Sequence, residues 1–393
     1  MSAISQPESA AHKLILIVDD TPFNIGAISG ALKDSYKTKV ATNGQKALAL
    51  ASAEDKPDLI LLDVMMPEMD GYEVCSRLKA DPTTREIPVI FLTGQTSADD
   101  ETRGFEVGAV DYVHKPFSPA VVKARVHSHI LLREARAQLA GQLGALNNEL
   151  EMARQIQLSI LPHSLPKLSD LEIAARFLPM TSVAGDFYDF IEVDEKHIGI
   201  LIADVSGHGL PSALIASMLQ VALSAQVIHA SEPAKVLAGL NKALCGKFTR
   251  NFVTAAYVYL DLDRHLMRYA GAGHPPILQY RRSTGQATEI MENGVVLGMF
   301  AEAAYEALDL PLEPGDRYGL YTDGILEAAN PAGEMYGADR FMRFLESSTS
   351  LTTDQCADAF LEEIARWASQ PTKQAQQDDI TVVLFDFKRA QLG

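Results

Sequence analysis

The sequence has few cysteines, few basic residues and no long apolar run. Cys75, Cys245 and Cys356 lie far apart without the paired spacing of a zinc site, so they predict a reducing, cytoplasmic environment. The sequence contains no run of 18 apolar residues, so it predicts no membrane span, and residues 1–12 lack the apolar core of a signal peptide. The net charge of −17 argues against a nucleic acid partner, because phosphate backbones require basic patches.

The composition is that of a folded protein. With 393 residues, 47% of them hydrophobic, the chain predicts two or three domains with sizeable cores. Its acidic excess fits a protein that concentrates carboxylates around cations.

Residues 12–125 alternate short apolar strands with helices, such as those predicted at 44–53 and 71–79. The predicted strands cover residues 14–18, 38–41, 59–62, 89–92 and 112–114. This alternation predicts an α/β domain with a parallel sheet, whose site lies at the carboxyl ends of the strands.

Polar residues follow the predicted strands where each one ends. Asp19 and Asp20 follow the first strand, Asp63 the third, Thr93 the fourth and Lys115 the fifth. Neighbouring carboxylates repel one another, so Mg²⁺ would be favoured between them. Asp63 can then accept a phosphoryl group that Lys115 neutralises and Thr93 hydrogen-bonds. Any one of these residues alone is an ordinary strand-end cap, but the five together predict phosphoryl chemistry.

The motifs are Val18-Asp19-Asp20, Leu62-Asp63-Val64-Met65-Met66-Pro67 with Asp70-Gly71, Thr93, and Lys115-Pro116-Phe117. This third of the chain resembles a response-regulator receiver domain. The resemblance implies a flavodoxin-like (βα)5 fold with Mg²⁺ on Asp19, Asp20 and Asp63. It also implies phosphorylation of Asp63 by a sensor histidine kinase or phosphotransfer protein. Thr93, Tyr112 and Lys115 would form the switch, with a cis Lys115–Pro116 bond.

Residues 126–165 predict a long helical linker. Apolar residues recur at alternating steps of four and three, as in the a/d seam of a coiled coil. The seam contains Leu139, Leu143, Leu146, Leu150, Ala153, Gln157 and Ile160. Gln157 interrupts the stripe, as a register-setting polar residue does, and the seam predicts a parallel homodimer. The alternative is an amphipathic helix packed on one of the domains. Residues 151–157 and 160–162 resemble the segment that precedes the catalytic domain in many bacterial regulatory phosphatases.

Residues 168–390 have predicted strands at both ends and helices between them, which indicates an α+β domain. The strands are predicted at 173–177, 186–193, 197–205, 254–261, 265–270, 317–322 and 379–387, and the helices at 210–225, 232–247 and 353–369.

Four acidic motifs lie at the ends of these strands. They are Gly185-Asp186-Phe187-Tyr188-Asp189, Ala203-Asp204-Val205-Ser206-Gly207-His208-Gly209, Tyr321-Thr322-Asp323-Gly324 and Asp378-Asp379-Ile380-Thr381. An oxygen-only donor set fits Mg²⁺ or Mn²⁺ rather than zinc. Two such ions can share a carboxylate and activate a water for in-line attack on phosphorus.

Together with Ala272-Gly273-His274-Pro275-Pro276, these motifs resemble the metal-dependent serine/threonine phosphatases (PPM, or type 2C), in their SpoIIE/RsbU-like branch. The resemblance implies two antiparallel sheets sandwiched by helices around a site for two Mn²⁺ or Mg²⁺ ions. Asp204 would bridge the ions with the Val205 carbonyl as a further ligand, and Asp186, Asp323 and Asp378 would complete the site. Between Asp378 and Asp379, the family motif places the ligand at Asp378, and the sequence alone leaves Asp379 as the alternative.

Two positions depart from the family pattern, and two histidines need weighing. Ala184 replaces a frequent glycine, and the phosphate-binding arginine of the eukaryotic members has no counterpart here. His208 is either a general acid or a packing residue of its loop. His274 is expected to be structural.

The resemblances imply a response regulator whose output phosphatase acts on a phosphorylated STAS-type anti-sigma factor antagonist in a partner-switching pathway. Phosphorylation of Asp63 is expected to activate it. The alternative is an inactive sigma-factor or anti-sigma adaptor under receiver control, although such adaptors typically lose the metal aspartates kept here. A DNA-binding output is disfavoured, because the sequence has no basic recognition helix.

Overall fold

The computed structural model describes residues 13–94, 98–248, 250–369 and 378–388. The chain divides into two compact units, one up to Ala145 and the other from Leu146. Within the described ranges, no helix combines the length and the apolar surface that crossing a membrane requires.

The first unit is a five-stranded parallel sheet with the strand order β2-β1-β3-β4-β5. Its elements are β1 (Leu14–Val18), α1 (Pro22–Leu32), β2 (Lys37–Ala41), α2 (Gly44–Ala51), β3 (Leu59–Asp63), α3 (Gly71–Ala80), β4 (Val89–Thr93), α4 (Ala98–Glu106) and β5 (Asp111–His114). The residues of β1, β3 and β4 are all buried, as expected for parallel strands that helices cover on both faces. The strand order confirms the predicted flavodoxin-like fold.

Helix α5 (Pro119–Ile160) has 42 residues, about 63 Å of continuous helix. Its first part completes the core of the first unit, where Val122, Val126 and Ile130 are buried. Arg125 and His129 both bond the carboxylate of Asp111 on the same side of that unit. The sequence therefore predicted the long helix correctly, and its first turns belong to the first unit.

The later turns of α5 show which residues of the predicted seam are covered. Leu139, Leu143 and Leu146 are more than half exposed in the single chain, as the contact face of a dimerisation helix would be. Gln157, by contrast, is only 4% exposed. Its interpretation as a register-setting seam residue is wrong, because its side chain is bonded to the second unit's own backbone at Ala184.

The second unit contains two sheets. Its strands are β6 (Leu171–Leu178), β7 (Phe187–Glu192), β8 (His197–Val205), β9 (Val253–Asp261), β10 (Leu266–Ala272), β11 (Ile277–Arg281), β12 (Gln286–Ile290), β13 (Asn293–Gly294), β14 (Leu308–Pro311), β15 (Arg317–Tyr321) and β16 (Ile380–Phe387). One sheet has the order β13-β10-β9-β8-β7 with β14 beside β10, and the other has the order β12-β11-β15-β16-β6. All pairings are antiparallel except that of β10 with β13.

Helices cover the outer face of each sheet. They are α6 (Leu210–Ser224), α7 (Pro233–Leu244), α8 (Asp323–Leu326), α9 (Ala338–Ser347) and α10 (Thr353–Trp367), with a 3-10 turn at Val227–His229. Helices α6 and α7 pack on the first sheet, and α9 and α10 pack on the second. One apolar core joins residues of both sheets, such as Val258 and Phe385. This arrangement confirms the predicted sandwich.

The hairpin of β11 and β12 and helix α9 were not predicted from the sequence. Strand β12 lies at a sheet edge, and Ile290 is its one buried residue. An exposed edge strand lacks the apolar alternation from which strands are predicted.

The pairing of the strands brings the four acidic motifs to one end of the sandwich. Strand β7 begins where its antiparallel partner β8 ends, with Phe187 opposite Ala203. Strand β16 begins where β15 ends, with Val382 opposite Tyr321. Carboxylates that precede β7 and β16 therefore meet those that end β8 and follow β15.

Candidate functional site

The first acidic site lies at the carboxyl ends of β1 and β3. Asp19 and Asp63 are buried and Asp20 is exposed, and one ligand atom from each lies within 4.8 Å of the others. Lys115 Nζ lies 2.9 Å from Asp19 Oδ2 and 2.9 Å from Asp63 Oδ2. Asn24 Nδ2 donates to both oxygens of Asp19 at 3.0 Å, which fixes that carboxylate. The donor set is all oxygen and open on the Asp20 side, so it fits Mg²⁺.

The charges of this site are unbalanced, with three carboxylates around one ammonium group. Burial raises the pKa of the Asp63 carboxyl, and repulsion from Asp19 adds to this, while the hydrogen bond from Lys115 opposes it. Burial lowers the pKa of Lys115, but its bonds to Asp63 and Asp19 outweigh burial and the net shift is upward. Lys115 therefore stays protonated, and a further cation would be stabilised here.

The predicted switch residues lie on the adjacent strands. Thr93 is buried at the end of β4, and Tyr112 is half-buried on β5. The Tyr112 ring packs edge-on against Phe105 and His114, with centroids 5.8 and 5.0 Å away. The Lys115–Pro116 peptide bond is cis, as predicted. The structure thus places Asp19, Asp20, Asp63, Thr93 and Lys115 at the carboxyl ends of the strands, whereas Tyr112 lies earlier on β5, opposite Phe91.

In the second unit, Asp186 is held by the ends of two strands of the other sheet. It is buried, and its Oδ2 accepts hydrogen bonds from Thr322 Oγ1 at 2.8 Å and Thr381 Oγ1 at 2.6 Å. Thr322 Oγ1 also accepts a bond from Thr381 N at 3.0 Å. Both threonines belong to the acidic motifs of the sequence, but the sequence alone gave neither of them a role.

Asp204 lies among the other carboxylates and is only partly buried. Burial, followed by repulsion from Asp323 and Asp378, raises the pKa of Asp204 to about 7. Burial and the charge of Asp204 raise the pKa of Asp186 well above its ordinary value. Burial and repulsion from Asp378 also raise the pKa of Asp323. These four carboxylates form one cluster of unfavourable negative charge, which divalent cations would relieve.

The two aspartates that the sequence left as alternatives have different surroundings. Asp379 Oδ1 accepts from Met180 N, and its Oδ2 accepts from Gly185 N, both at 2.7 Å. Burial raises the pKa of Asp379, and these two bonds oppose the rise. Both aspartates repel Asp204, Asp378 the more strongly. Because the two oxygens of Asp379 are engaged by backbone N–H groups of the loop before β7, the geometry favours Asp378 as a metal ligand and Asp379 as the residue that orients this loop.

Two glycines allow the backbone segments of this cluster to approach closely. A Cβ on Gly324 would lie 2.1 Å from the Asp379 carbonyl oxygen, and one on Gly185 would lie 2.8 Å from the Val205 carbonyl oxygen. Both contacts are shorter than any real Cβ contact, so these positions require glycine. The Val205 carbonyl, predicted as a metal ligand, therefore borders the loop that carries Asp186.

The two weighed histidines differ in environment. His208 is exposed on the loop after β8. His274 is buried, with Nδ1 2.9 Å from Thr254 Oγ1. Burial lowers the pKa of His274 to about 3, so the ring is neutral at physiological pH. A buried neutral imidazole suits packing better than proton transfer.

The spacing of the carboxylates differs between the two units. In the part of the chain that the structure describes, the receiver triplet is the one group of three potential ligands within 4.8 Å of one another. Among the described residues, the carboxylates around Asp204 do not converge to this degree.

The comparisons with known proteins agree with this geometry. Residues 15–127 match the response regulator receiver domain family, and residues 194–388 match the family described as stage II sporulation protein E (SpoIIE). The chain is 32% identical over 196 residues to the phosphoserine phosphatase RsbU of Bacillus subtilis (strain 168), covering 50% of this chain and 58% of RsbU. It is 47% identical over 115 residues to the response regulator PleD of Caulobacter vibrioides (strain NA1000 / CB15N), covering 29% of this chain and 25% of PleD.

Among solved structures, the SiaA-PP2C domain of Pseudomonas aeruginosa superposes with a TM-score of 0.56 at 25% identity. The match covers 63% of this chain and all of that domain. The fold and these matches show a receiver domain over residues 15–127 and a PPM-type (type 2C, SpoIIE-like) phosphatase domain over residues 194–388. The chain spans between 25% and 58% of the length of the two curated relatives described above.

Proposed function

We propose that the chain is a protein serine/threonine phosphatase whose activity is controlled by phosphorylation of its receiver domain. The observation that carries the proposal is the carboxylate cluster of Asp186, Asp204, Asp323 and Asp378 at one end of the sandwich. Mutual repulsion and burial raise the pKa of Asp204 to about 7, which is unfavourable unless cations are bound. The similarity to RsbU and to the phosphoserine phosphatase RsbP, at 32% identity each, supports the same reaction.

The residues fit two Mn²⁺ or Mg²⁺ ions, because every donor is a carboxylate or carbonyl oxygen. Asp204 would be shared by the ions, with Asp186, Asp323, Asp378 and the Val205 carbonyl around it. Bound divalent cations would supply positive charge for the phosphoryl oxygens and lower the pKa of a water nucleophile. Thr322 and Thr381 keep Asp186 in place by donating to one of its oxygens. Asp204 and Asp323 remain partly exposed, so a phosphoprotein can approach the cluster.

In the receiver, Asp63 is the proposed phosphoryl acceptor. Asp19 and Asp20 would complete the Mg²⁺ site with it, and Lys115 is placed to neutralise the phosphoryl group. The donor would be a sensor histidine kinase or a phosphotransfer protein. Thr93 and Tyr112 would carry the change to the output domain, and we propose that phosphorylation activates it.

The proposed substrate is a phosphorylated STAS-type anti-sigma factor antagonist in a partner-switching pathway. The similarity to RsbU, a phosphoserine phosphatase, supports a phosphoserine-containing substrate. The exposed leucines of α5, Leu139, Leu143 and Leu146, support a homodimer through that helix.

The decisive experiment is hydrolysis of an aryl phosphate with Mn²⁺, with and without acetyl phosphate to load Asp63. We expect turnover that rises on loading, no turnover in an Asp204→Asn variant, and no response to acetyl phosphate in an Asp63→Ala variant. Absence of both turnover and Mn²⁺ binding to the phosphatase domain would instead favour the adaptor function.

A further inference from the structure

The side chain of Gln157 is buried in a part of α5 where its neighbours are not. Ile156 is 65% exposed and Met152 is 64% exposed, whereas Gln157 is 4% exposed. Its amide makes two hydrogen bonds to one residue. Gln157 Nε2 donates to the Ala184 carbonyl oxygen at 2.6 Å, and Ala184 N donates to Gln157 Oε1 at 2.9 Å. The side chain therefore pairs with Ala184 as a neighbouring β-strand would.

Ala184 directly precedes the residues that build the metal centre. Gly185 N donates to Asp379 Oδ2 at 2.7 Å, and Gly185 O accepts from Val205 N at 3.3 Å. Asp186 follows, with its carboxylate on Thr322 and Thr381. The segment 184–186 is thus fixed by α5 on one side and by the acidic strand ends on the other.

Glutamine has the chemistry that this contact requires. Ala184 is fully buried, so water cannot replace Gln157 as the hydrogen-bond partner of its N–H and C=O groups. A primary amide offers one donor group and one acceptor, whereas a carboxylate offers acceptors alone and an alkyl chain offers neither. Both bonds also require the amide to lie in one plane with the Ala184 backbone, so a turn or a shift of α5 by a fraction of its pitch weakens both together.

We propose that Gln157 is a positioning residue through which the connector helix holds segment 184–186, and so sets the affinity of the phosphatase centre for its metal ions. This inference rests on the proposed function, because it assumes a metal centre at Asp186 and Asp204. It assigns the connector helix a direct contact with that centre's backbone. Changes in the last turns of α5 then alter metal binding through the backbone of segment 184–186.

The test compares Gln157→Leu and Gln157→Glu with Gln155→Leu in the full chain. Gln155 is exposed on the same helix two residues away, so its substitution is a matched control for helix propensity and apolarity. Gln157→Glu keeps the side-chain length and the bond from Ala184 N, and it loses the donor. The first measurement is amide hydrogen exchange of peptides covering residues 180–187 in metal-free protein. The second is Mn²⁺ titration by calorimetry, with Asp63→Ala in every variant to weaken the receiver site.

We expect exchange at least tenfold faster in both Gln157 variants and a Mn²⁺ dissociation constant about tenfold higher, with turnover recovered at saturating Mn²⁺. Gln155→Leu should match the parent protein in amide exchange rate, Mn²⁺ dissociation constant and turnover.

If Gln157→Leu does not fold, the measurements on Gln157→Glu decide the test. Unchanged amide hydrogen exchange would show that Gln157 does not hold segment 184–186. Faster exchange with unchanged Mn²⁺ affinity would overturn the positioning role. A parent protein that neither binds Mn²⁺ nor turns over substrate would overturn the proposed function and the positioning role together. An active parent protein whose Gln157 variants keep its exchange rate and its Mn²⁺ affinity would overturn this inference alone.

Discussion

Thr381 Oγ1 donates a 2.6 Å hydrogen bond to Asp186 Oδ2, although the two residues are 195 positions apart in the chain. The bond joins the loop before β7 to the start of β16, and so connects the two sheets of the sandwich at the acidic cluster. Burial and the charge of Asp204 raise the pKa of Asp186, so this bond is one of the few interactions that favour its ionised form.

Removing this hydroxyl should therefore weaken metal binding without disrupting the core. In Thr381→Val, which keeps the shape of the side chain, we expect Mn²⁺ affinity and turnover to fall about 10- to 100-fold, as is usual when a partner of a metal ligand is lost. Calorimetric titration and aryl phosphate hydrolysis measure the two effects. Thr381→Ser retains the hydroxyl and should stay close to the parent protein.

Neutralising Asp204 should raise the stability of the metal-free protein and abolish its turnover. Asp204→Asn removes a charge that Asp323 and Asp378 repel, so the metal-free protein should become more stable at pH 8, by on the order of 1 kcal/mol, which is a few degrees in Tm. Turnover should fall to background at every Mn²⁺ concentration. Trp367, the single tryptophan, lies on α10, so its fluorescence follows unfolding of the second unit. A lower Tm in the metal-free variant would contradict the repulsion.

His274 should make the second unit sensitive to acid. Its pKa is lowered to about 3 in the folded protein by burial, from an ordinary value near 6.5. Below pH 6.5, His274 therefore binds a proton in the unfolded chain but stays neutral in the folded chain. Stability from this group is fully present above pH 6.5 and is lost as pH falls, by about 1.4 kcal/mol per pH unit.

Denaturant titrations at pH 7 and 5.5, followed by Trp367 fluorescence, measure this loss. His274→Asn should have a shallower dependence of stability on pH, because it removes the titrating group. Equal slopes for both proteins would show that His274 is protonated in the folded state.

The receiver response should depend on the pairing of Lys115 with Asp63. Lys115→Met removes the ammonium group that lies 2.9 Å from both Asp19 and Asp63. We expect Asp63 still to accept a phosphoryl group from acetyl phosphate, detected by mass, while stimulation of the phosphatase is lost. Loss of the phosphoryl adduct itself would assign Lys115 to the transfer step, and full stimulation would remove it from the switch.

The exposed leucines of α5 predict the oligomeric state. Leu143→Asp places a charge at the middle of the predicted seam, where Leu143 is 52% exposed in the single chain. Light scattering should show a dimer for the parent protein and a monomer for the variant at the same concentration. Leu158→Asp, outside the seam on the same helix, should remain dimeric. A monomeric parent protein would leave α5 as a linker alone.

The sequence predicted the receiver nearly completely because Asp19, Asp20, Asp63, Thr93 and Lys115 all lie at the ends of short strands. In the phosphatase domain the acidic strand ends were predicted, and the family motif placed the ligand at Asp378, but the role of Asp379 was not predicted. That role depends on backbone N–H groups of Met180 and Gly185, which are 199 and 194 residues away in the sequence. The burial of Gln157 against Ala184 was not predicted either, because the spacing of three and four residues defines a helix face but not what packs against it. Strand β12 was missed because an edge strand needs no apolar pattern.

Strand β16, which begins just after Asp378, lies between β15 and β6 in its sheet. During translation, β6 leaves the ribosome early and remains without this neighbour until Phe387 has been synthesised opposite Leu171. The receiver has by then been complete for most of the time of synthesis, since domains fold as they emerge. In a nascent chain the receiver sheet can therefore be complete while the sheet that contains β6 still lacks one of its inner strands. The order of synthesis alone delays the pairing of β6 with β16 until residue 387 has been made.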